Sequence, residues 1–148
     1  PTMSLYSHIL LATDFNSETE TVIERAKAMA SSNQCSLSLI HVIEPISIAY
    51  GGEFPIDLGD LHKELEKQGR ERLNELAERL AIPEANCYLE VGLTEKEILR
   101  IAKENSVDLI VVGSHSKHGL SLLLGSTANA ILHHAECDVL AVRVRKSK

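Results

Sequence analysis

Tryptophan is absent from this 148-residue chain, and aromatic residues make up only 3% of it. The core therefore has to be built from aliphatic side chains, and hydrophobic residues account for 44% of the sequence. We expect Leu, Ile, Val and Ala to fill the interior. The length predicts one domain that covers residues 1–148.

Long apolar runs are also missing. The N-terminal apolar stretch is short and ends at Asp14, and it lacks the basic start of a signal peptide. No later run approaches the roughly 18 apolar residues that a transmembrane helix needs. These absences predict a soluble, cytoplasmic protein with no membrane partner.

Cysteine is scarce and positive charge is not in excess. Cys35, Cys87 and Cys137 are far apart and form no CxxC pair, which favours free, buried thiols in a reducing compartment. The net charge of −6 argues against a nucleic-acid partner, which would select a basic face. Binding of one small anion stays open, because backbone amides can do it locally.

The common catalytic motifs are absent as well. The chain has no GxSxG nucleophile elbow, no GxxxxGK[ST] loop, and no GxGxxG after its first strand. His115 and His118 lie close in sequence, as do His133 and His134, but no cysteine or carboxylate completes a metal set beside them. We therefore expect no catalytic residue, no metal site and no enzymatic turnover.

What the sequence does contain is a regular alternation of short apolar runs and amphipathic segments. Strands are predicted at residues 5–14, 35–43, 86–92, 107–113 and 137–144. Helices are predicted at residues 16–33, from 58 or 60 to 81, 94–106 and 126–136. This β-α alternation predicts an α/β fold, a doubly wound parallel sheet with helices on both faces.

Individual residues add expectations about packing. His8 and His41 fall within strands, where we expect structural histidines with hydrogen-bond partners. Thr94 and Glu97 have the spacing of a capping box at the start of the third helix. The second helix is expected to bury one stripe of leucines. That stripe consists of Leu61, Leu65, Leu73, Leu76 and Leu80.

Ligands of such a sheet bind beyond the carboxyl ends of the strands, where the winding reverses. If strands one and four are neighbours, Asp14 and Gly113 face one crevice there. Asp14 can accept hydrogen bonds from ribose hydroxyls or hold a cation, or it can cap the first helix. Ser126 opens a helix whose N–H groups and dipole favour an anion without any lysine. Ser126 can equally be a plain N-cap.

Three segments together resemble the universal stress protein family. They are HILLATDFNSET, LSLIHVIEP and DLIVVGSHSKHGLSLLLGSTANAILHHAECDVLAVRV, and IDLGDLHKEL resembles the UspA-type branch in particular. The resemblance covers residues 4–145. It implies a five-stranded sheet of order 3-2-1-4-5 and a homodimer formed through the last strand, residues 139–144.

ATP-binding members of that family carry a G-x2-G-x9-G-[S/T] pattern after strand four. This chain has Gly113, then Ser116 in place of the second glycine, then Gly125 and Ser126 after an interval of eight residues instead of nine. Both ends of the motif are thus present and its middle is altered. The shorter loop changes the space for a triphosphate, which leaves AMP, ADP and ATP open as ligands.

The resemblance implies contacts with an adenine nucleotide in the crevice between strands one and four. The resemblance implies that adenine and ribose contact Ala12, Thr13, Asp14 and Val42, and that the nucleoside also contacts Val112 and Gly113. It implies that ribose or phosphate contacts His115 and Ser116. It implies that phosphate contacts Gly125, Ser126 and Thr127. Mg²⁺ can accompany ATP. The function implied is a nucleotide-dependent regulatory or signalling dimer in the stress response. The alternatives are a nucleotide-free UspA-type interaction module and, less favoured, a weak ATPase.

Overall fold

The computed structural model describes residues 4–15, 19–45, 59–115 and 126–144. Five strands within these residues form one parallel sheet in the order β3-β2-β1-β4-β5, which confirms the predicted fold class and strand order. The strands are β1 (His8–Ala12), β2 (Ser36–Ile43), β3 (Cys87–Val91), β4 (Leu109–His115) and β5 (Asp138–Val144).

Helices connect the strands and cover the sheet. They are α1 (Thr19–Asn33), α2 (Gly59–Leu80), α3 (Thr94–Glu104) and α4 (Ser126–His134), with a short 3-10 turn at Glu84–Asn86 before β3. None of the described helices combines the length and the apolar composition that crossing a bilayer requires.

β1 is the central strand and is buried on both faces. It pairs with β2 on one side and with β4 on the other, and Ile9, Leu10 and Leu11 are all 0% exposed. Alternate side chains of a strand point to opposite faces. Ile9 and Leu11 therefore pack beneath α1 and α2, whereas Leu10 packs beneath α3 and α4. Burial on both faces explains why this strand reads as a continuous apolar run.

The predicted leucine stripe of α2 is correct only in its second half. Leu73 and Leu76 are buried and Leu65 and Leu80 are partly buried, but Leu61 is 46% exposed, so the prediction for Leu61 is wrong. The 22 residues of α2 span about 33 Å at ~1.5 Å per residue. The 5 residues of β3 beside it span about 17 Å. The first turns of α2 therefore extend past the strands.

β1 and β4 begin at His8 and Leu109, later than their predicted starts, and Asp108 explains both. Its carboxylate accepts hydrogen bonds from the backbone N–H groups of Ser7 (2.8 Å) and His8 (3.0 Å). Its own N–H donates to the His8 carbonyl at 3.0 Å. Val107 follows the end of α3, and its N–H donates to the carbonyl of Ala102 in that helix at 2.9 Å. The regular pairing of β1 and β4 therefore begins beyond the residues that make these bonds.

A partly buried polar network closes the amino-terminal edge of the sheet. His8 lies with Nδ1 3.0 Å from the Asn105 carbonyl and Nε2 2.6 Å from Oγ of Ser38. A carbonyl only accepts, so Nδ1 carries the proton and Nε2 accepts from the Ser38 hydroxyl. Asn105 in turn accepts from the Tyr88 hydroxyl at 3.0 Å. The prediction that His8 is a structural histidine is confirmed.

The three thiols are all free, as predicted. Cys87 is buried and Cys35 and Cys137 are partly buried. Burial raises the pKa of each of the three thiols. A raised pKa disfavours the thiolate, which is the reactive form of cysteine.

We expect Ser38→Ala to lower the free energy of unfolding by about 1 kcal/mol, because it removes the donor that Nε2 of His8 accepts from. Denaturant titration measures the effect. Ser36→Ala is the matched control, since Ser36 lies exposed on the same strand and its loss should stay within about 0.5 kcal/mol of wild type. Equal unfolding midpoints for the two variants would show that the network adds nothing.

Candidate functional site

A cleft of about 220 Å³ opens at the carboxyl ends of β1 and β4. β1 connects onward to β2 on one side of it and β4 connects onward to β5 on the other, so the winding reverses there. Such switch points are where doubly wound sheets bind their ligands. The lining residues are Ala12, Thr13, Asp14, Val22, Ile40, His41, Val42, Thr94, Ile98, Val112, Gly113 and Thr127.

Most of the predicted contact residues meet in this cleft. Asp14 and Gly113 line it together, as the switch-point argument predicted. The others brought there are Ala12, Thr13, Val42, Val112 and Thr127. Ser116 and Gly125 lie outside the described residues, and so do the side chains of His115 and Ser126. The contacts assigned to these four residues stay predictions.

The interior of the cleft is apolar. Ile40, Ile98 and Val112 are at most 3% exposed and belong to the core beneath α3 and α4. Val42 packs against the same core. The cleft is thus the open end of that core, and its apolar surface can receive a flat apolar group such as a ring.

The polar side of the cleft is formed by the chain that leaves β1. Asp14 is exposed there, and no other carboxylate lies among the described lining residues. Thr127 reaches the cleft from the first turn of α4, where backbone N–H groups are not used inside the helix. Among the described residues, no His, Cys, Asp and Glu side chains group closely enough to hold a metal ion.

Thr13 makes three hydrogen bonds, which fix the turn that carries Asp14. Its N–H donates to the Ile40 carbonyl at 3.0 Å. Its carbonyl lies 2.8 Å from Nδ1 of His41, and its Oγ1 accepts from the Phe15 N–H at 3.2 Å. The path from β1 into the cleft is therefore set by β2 and by the turn itself.

Phe15 has a backbone conformation that is rare for a bulky residue. Its φ is 62°, in the left-handed region that glycine and asparagine favour. Gln34, Ala81 and Ser106 also have positive φ, but they follow the ends of helices, where this conformation is common. Phe15 follows a strand instead, and its ring packs on His41 at a centroid distance of 4.5 Å.

His41 is a structural histidine, as predicted, but it also lines the cleft. Its Nδ1 faces a carbonyl and therefore carries the proton. Burial lowers the pKa of His41, and nearby Arg72 adds to this effect. The Thr13 carbonyl and Asp14 act in the opposite direction. Burial dominates, so the imidazole is neutral at pH 7.

The start of α3 forms another wall of the cleft, and the capping box predicted there is wrong. The N-cap is Leu93, which has no side-chain cap. Thr94 is already helical, and its hydroxyl and N–H donate to the Glu44 carboxylate at 2.8 and 3.3 Å. Glu97 pairs with Arg100 instead. Glu44 thus caps α3 from the end of β2.

Sequence reasoning missed several lining residues: Val22, Ile40, His41, Thr94 and Ile98. A usable signal existed for some of them. In a parallel sheet the carboxyl ends of the strands and the starts of the helices lie at one edge. Thr94, at the start of a predicted helix, could therefore have been predicted to lie at the edge that holds the cleft. Ile98 follows one turn later on the same helix face. His41 gave no such signal, because its inward direction depends on the strand register.

Comparisons with known proteins agree on one family. The model of the universal stress protein family matches residues 5–143. Universal stress protein A homolog 1 of Coxiella burnetii is 43% identical over 142 residues, which cover 95% of this chain and 99% of that protein. The solved structure of MJ0577, a test case for assigning biochemical function from structure, has a TM-score of 0.78 at 27% identity, covering 97% of this chain and 99% of that one. A universal stress protein in complex with cAMP shares the fold at 20% identity, with a TM-score of 0.63 and coverage of 95% and 98%.

The lowered pKa of His41 predicts a pH effect on stability. The unfolded chain binds a proton at about pH 6.5, whereas the folded protein resists protonation of His41 until lower pH. The stability that the neutral imidazole contributes is therefore complete above the unfolded pKa and is lost as pH falls below it. Unfolding free energy should drop between pH 7 and pH 5 more steeply in wild type than in His41→Asn.

Denaturant titrations at several pH values measure these slopes. His41→Phe serves as a second variant without a titrating group, and its slope should match that of His41→Asn even if its absolute stability differs. A wild-type slope retained in both variants would place the pH effect elsewhere in the protein.

Proposed function

Because the chain belongs to the universal stress protein family, we propose that it binds an adenine nucleotide in the cleft between β1 and β4. The observation that carries this proposal is the division of the cleft into an apolar interior and a polar side that holds Asp14 and Thr127. A nucleotide has the same division, since a flat base is joined to a hydroxylated sugar and a phosphate. The universal stress protein with bound cAMP shows that a protein of this fold accommodates such a ligand.

The base would lie on the apolar side. Ile40, Val42, Ile98 and Val112 offer aliphatic surface to the ring, and the backbone at the end of β2 would meet its polar edge. Val42 itself pairs with Glu90 of β3, which fixes its backbone. A rigid backbone edge of this kind selects one base by its pattern of donors and acceptors.

The ribose would lie beside Asp14, whose carboxylate accepts hydrogen bonds from vicinal hydroxyls. The phosphates would point toward the start of α4, at Thr127 and the predicted contacts Gly125 and Ser126. Free N–H groups and the helix dipole stabilise an anion at such a position. The cleft volume of about 220 Å³ is below the ~300–1,000 Å³ of pockets that enclose a whole ligand. We therefore propose that the described walls enclose the nucleoside part.

Which nucleotide is bound depends on the phosphate end. The altered motif, with Ser116 and a shorter second interval, favours AMP at least as much as ATP. Mg²⁺ would enter only together with ATP, since Asp14 is the single carboxylate among the described lining residues and one carboxylate holds Mg²⁺ weakly. The same shortage of acidic or basic groups supports a binding protein without turnover of its own.

The proposed role is that of a regulatory protein of the stress response, acting in the cytoplasm, where free thiols such as those of this chain persist. Nucleotide binding would change a surface that a protein partner reads. The competing proposal is a nucleotide-free interaction module of the UspA type, which the altered glycine motif supports. Small molecules released from freshly purified protein distinguish the two, because co-purified adenylate is expected only from the first.

We further propose a homodimer formed through β5. β5 pairs with β4 on one side, and as the last strand in the order it has no strand on its other side among the described residues. Unpaired backbone groups of an edge strand are a template for pairing with a second copy.

Asp14→Ala should weaken AMP binding by about 10- to 100-fold, since a hydrogen bond to a charged group contributes about 1.5–3 kcal/mol. Isothermal titration calorimetry measures the affinity, and circular dichroism checks the fold. Asp60→Ala is the control, because Asp60 is exposed at the start of α2 and does not line the cleft. Absence of heat with both AMP and ATP in the wild-type protein would reject nucleotide binding.

Sedimentation velocity tests the dimer. We expect a species of twice the chain mass of 16.3 kDa, and the same species with and without nucleotide if the β5 edge alone forms the interface. A monomer at every concentration would contradict the dimer and leave the nucleotide proposal untouched.

A further inference from the structure

We propose that His41 is a positioning residue for ribose recognition: through its hydrogen bond to the Thr13 carbonyl, it orients the Asp14 carboxylate in the cleft. The inference rests on the proposed nucleotide binding and adds a determinant of its ribose specificity. His41 lies in β2, 27 positions after Asp14 in the chain, so the sheet alone brings the two residues together.

The hydrogen bond acts directly on the backbone that carries Asp14. The carbonyl that faces Nδ1 of His41 at 2.8 Å belongs to the peptide group between Thr13 and Asp14. A peptide group is planar, so holding its oxygen also sets the direction in which the Cα of Asp14 leaves β1. Loss of this bond frees the peptide to rotate, and the carboxylate rotates with it.

The residue on the other side of Asp14 is held by the same imidazole. Phe15 has a φ of 62°, a conformation that disfavours a bulky side chain, and it persists only where neighbours compensate. Its N–H donates to Oγ1 of Thr13 at 3.2 Å, and its ring packs on His41 at 4.5 Å. Asp14 therefore sits between two residues that both contact His41.

The imidazole is itself fixed by the helix behind it. A Cβ on Gly69 of α2 would lie 3.4 Å from Cδ2 of His41 and 3.2 Å from a methyl group of Leu89. The backbone of α2 therefore lies close behind the ring, at a distance where a Cβ would make van der Waals contact with it. Packing between Phe15 and α2 restricts the movement of the ring and helps to keep Nδ1 directed at the Thr13 carbonyl. The charged groups that act on it are Asp14 from the β1 turn and Arg72 from α2.

The proposed role of His41 predicts a selective effect on nucleotide binding. Base contacts depend on β2, α3 and β4, and phosphate contacts on the start of α4, and neither set involves the Thr13 carbonyl. Loss of the His41 hydrogen bond should therefore weaken binding only of ligands that have ribose hydroxyls. A merely structural role of His41 would weaken all nucleotides alike.

Two variants separate the donor from the ring. Asparagine carries its Nδ2 on Cγ, as histidine carries Nδ1, so His41→Asn keeps the donor and loses the ring. His41→Phe keeps a ring against Phe15 and loses the donor. Calorimetry measures the affinities for AMP and for 2′,3′-dideoxy-AMP, and their ratio is compared between proteins. The proteins are wild type, His41→Asn, His41→Phe, Asp14→Ala and the double variant that combines His41→Phe with Asp14→Ala.

We expect wild type to prefer AMP over the dideoxy analogue by about tenfold or more. His41→Phe should lose most of this preference with its affinity for the analogue nearly unchanged, and His41→Asn should retain most of it. The double variant should be no weaker toward AMP than Asp14→Ala alone, because both changes remove the same interaction. Should His41→Phe not fold by circular dichroism, His41→Leu, smaller and also without a donor, takes its place.

The contradicting results are distinct from those for the proposed function. A wild-type protein that binds neither nucleotide rejects nucleotide binding itself. A wild-type preference that survives intact in His41→Phe, or an equal loss of both nucleotides in that variant, overturns the positioning role of His41 and leaves nucleotide binding in place.

Discussion

The parallel pairing of β1 with both β2 and β4 is the constraint on which the rest of the structure depends. It buries Ile9, Leu10 and Leu11 completely and so requires helices on both faces of the sheet. It also brings the carboxyl ends of three strands to one edge, where each must turn into a different connection. β1 lies between β2 and β4, and its chain turns toward α1 where the strand ends. This turn, between the ends of the neighbouring strands, opens the cleft. Every candidate contact on the described residues follows from that geometry.

The two edges of the sheet use their polar residues differently. At the amino-terminal edge, His8 and Ser38 satisfy each other and Asp108 caps two backbone N–H groups. Among the described residues, no buried side-chain nitrogen or oxygen lacks a hydrogen-bond partner, so this edge is closed and structural. At the carboxyl edge, His41 plays a similar bonding role, but the carboxylate that its contacts surround is exposed.

The groups that line the described cleft support the proposal of a binding role. The described lining combines aliphatic side chains, three threonines of which two come from helix starts, one neutral histidine and one carboxylate. The histidine is already engaged with the Thr13 carbonyl, and burial lowers its pKa. These groups can recognise a base and a sugar, but they do not include the paired acid and base that hydrolysis uses. We therefore propose regulation by occupancy rather than by turnover.

The sequence by itself determined the order of strands and helices, the two-faced burial of β1 and the family, because these follow from local apolar periodicity and from motifs contiguous in the chain. Asp14, Val42, Gly113 and Thr127, which the sequence pointed to as ligand contacts, line one cleft in the structure, and the contacts themselves stay predictions. Only the tertiary structure decided the exposure of Leu61, the capping of α3 by Glu44 and the place of His41 beside Thr13. Each of these depends on how far one element extends past another or on strand register. Local patterns do not encode those distances, since they are set by packing between segments that are remote in the chain.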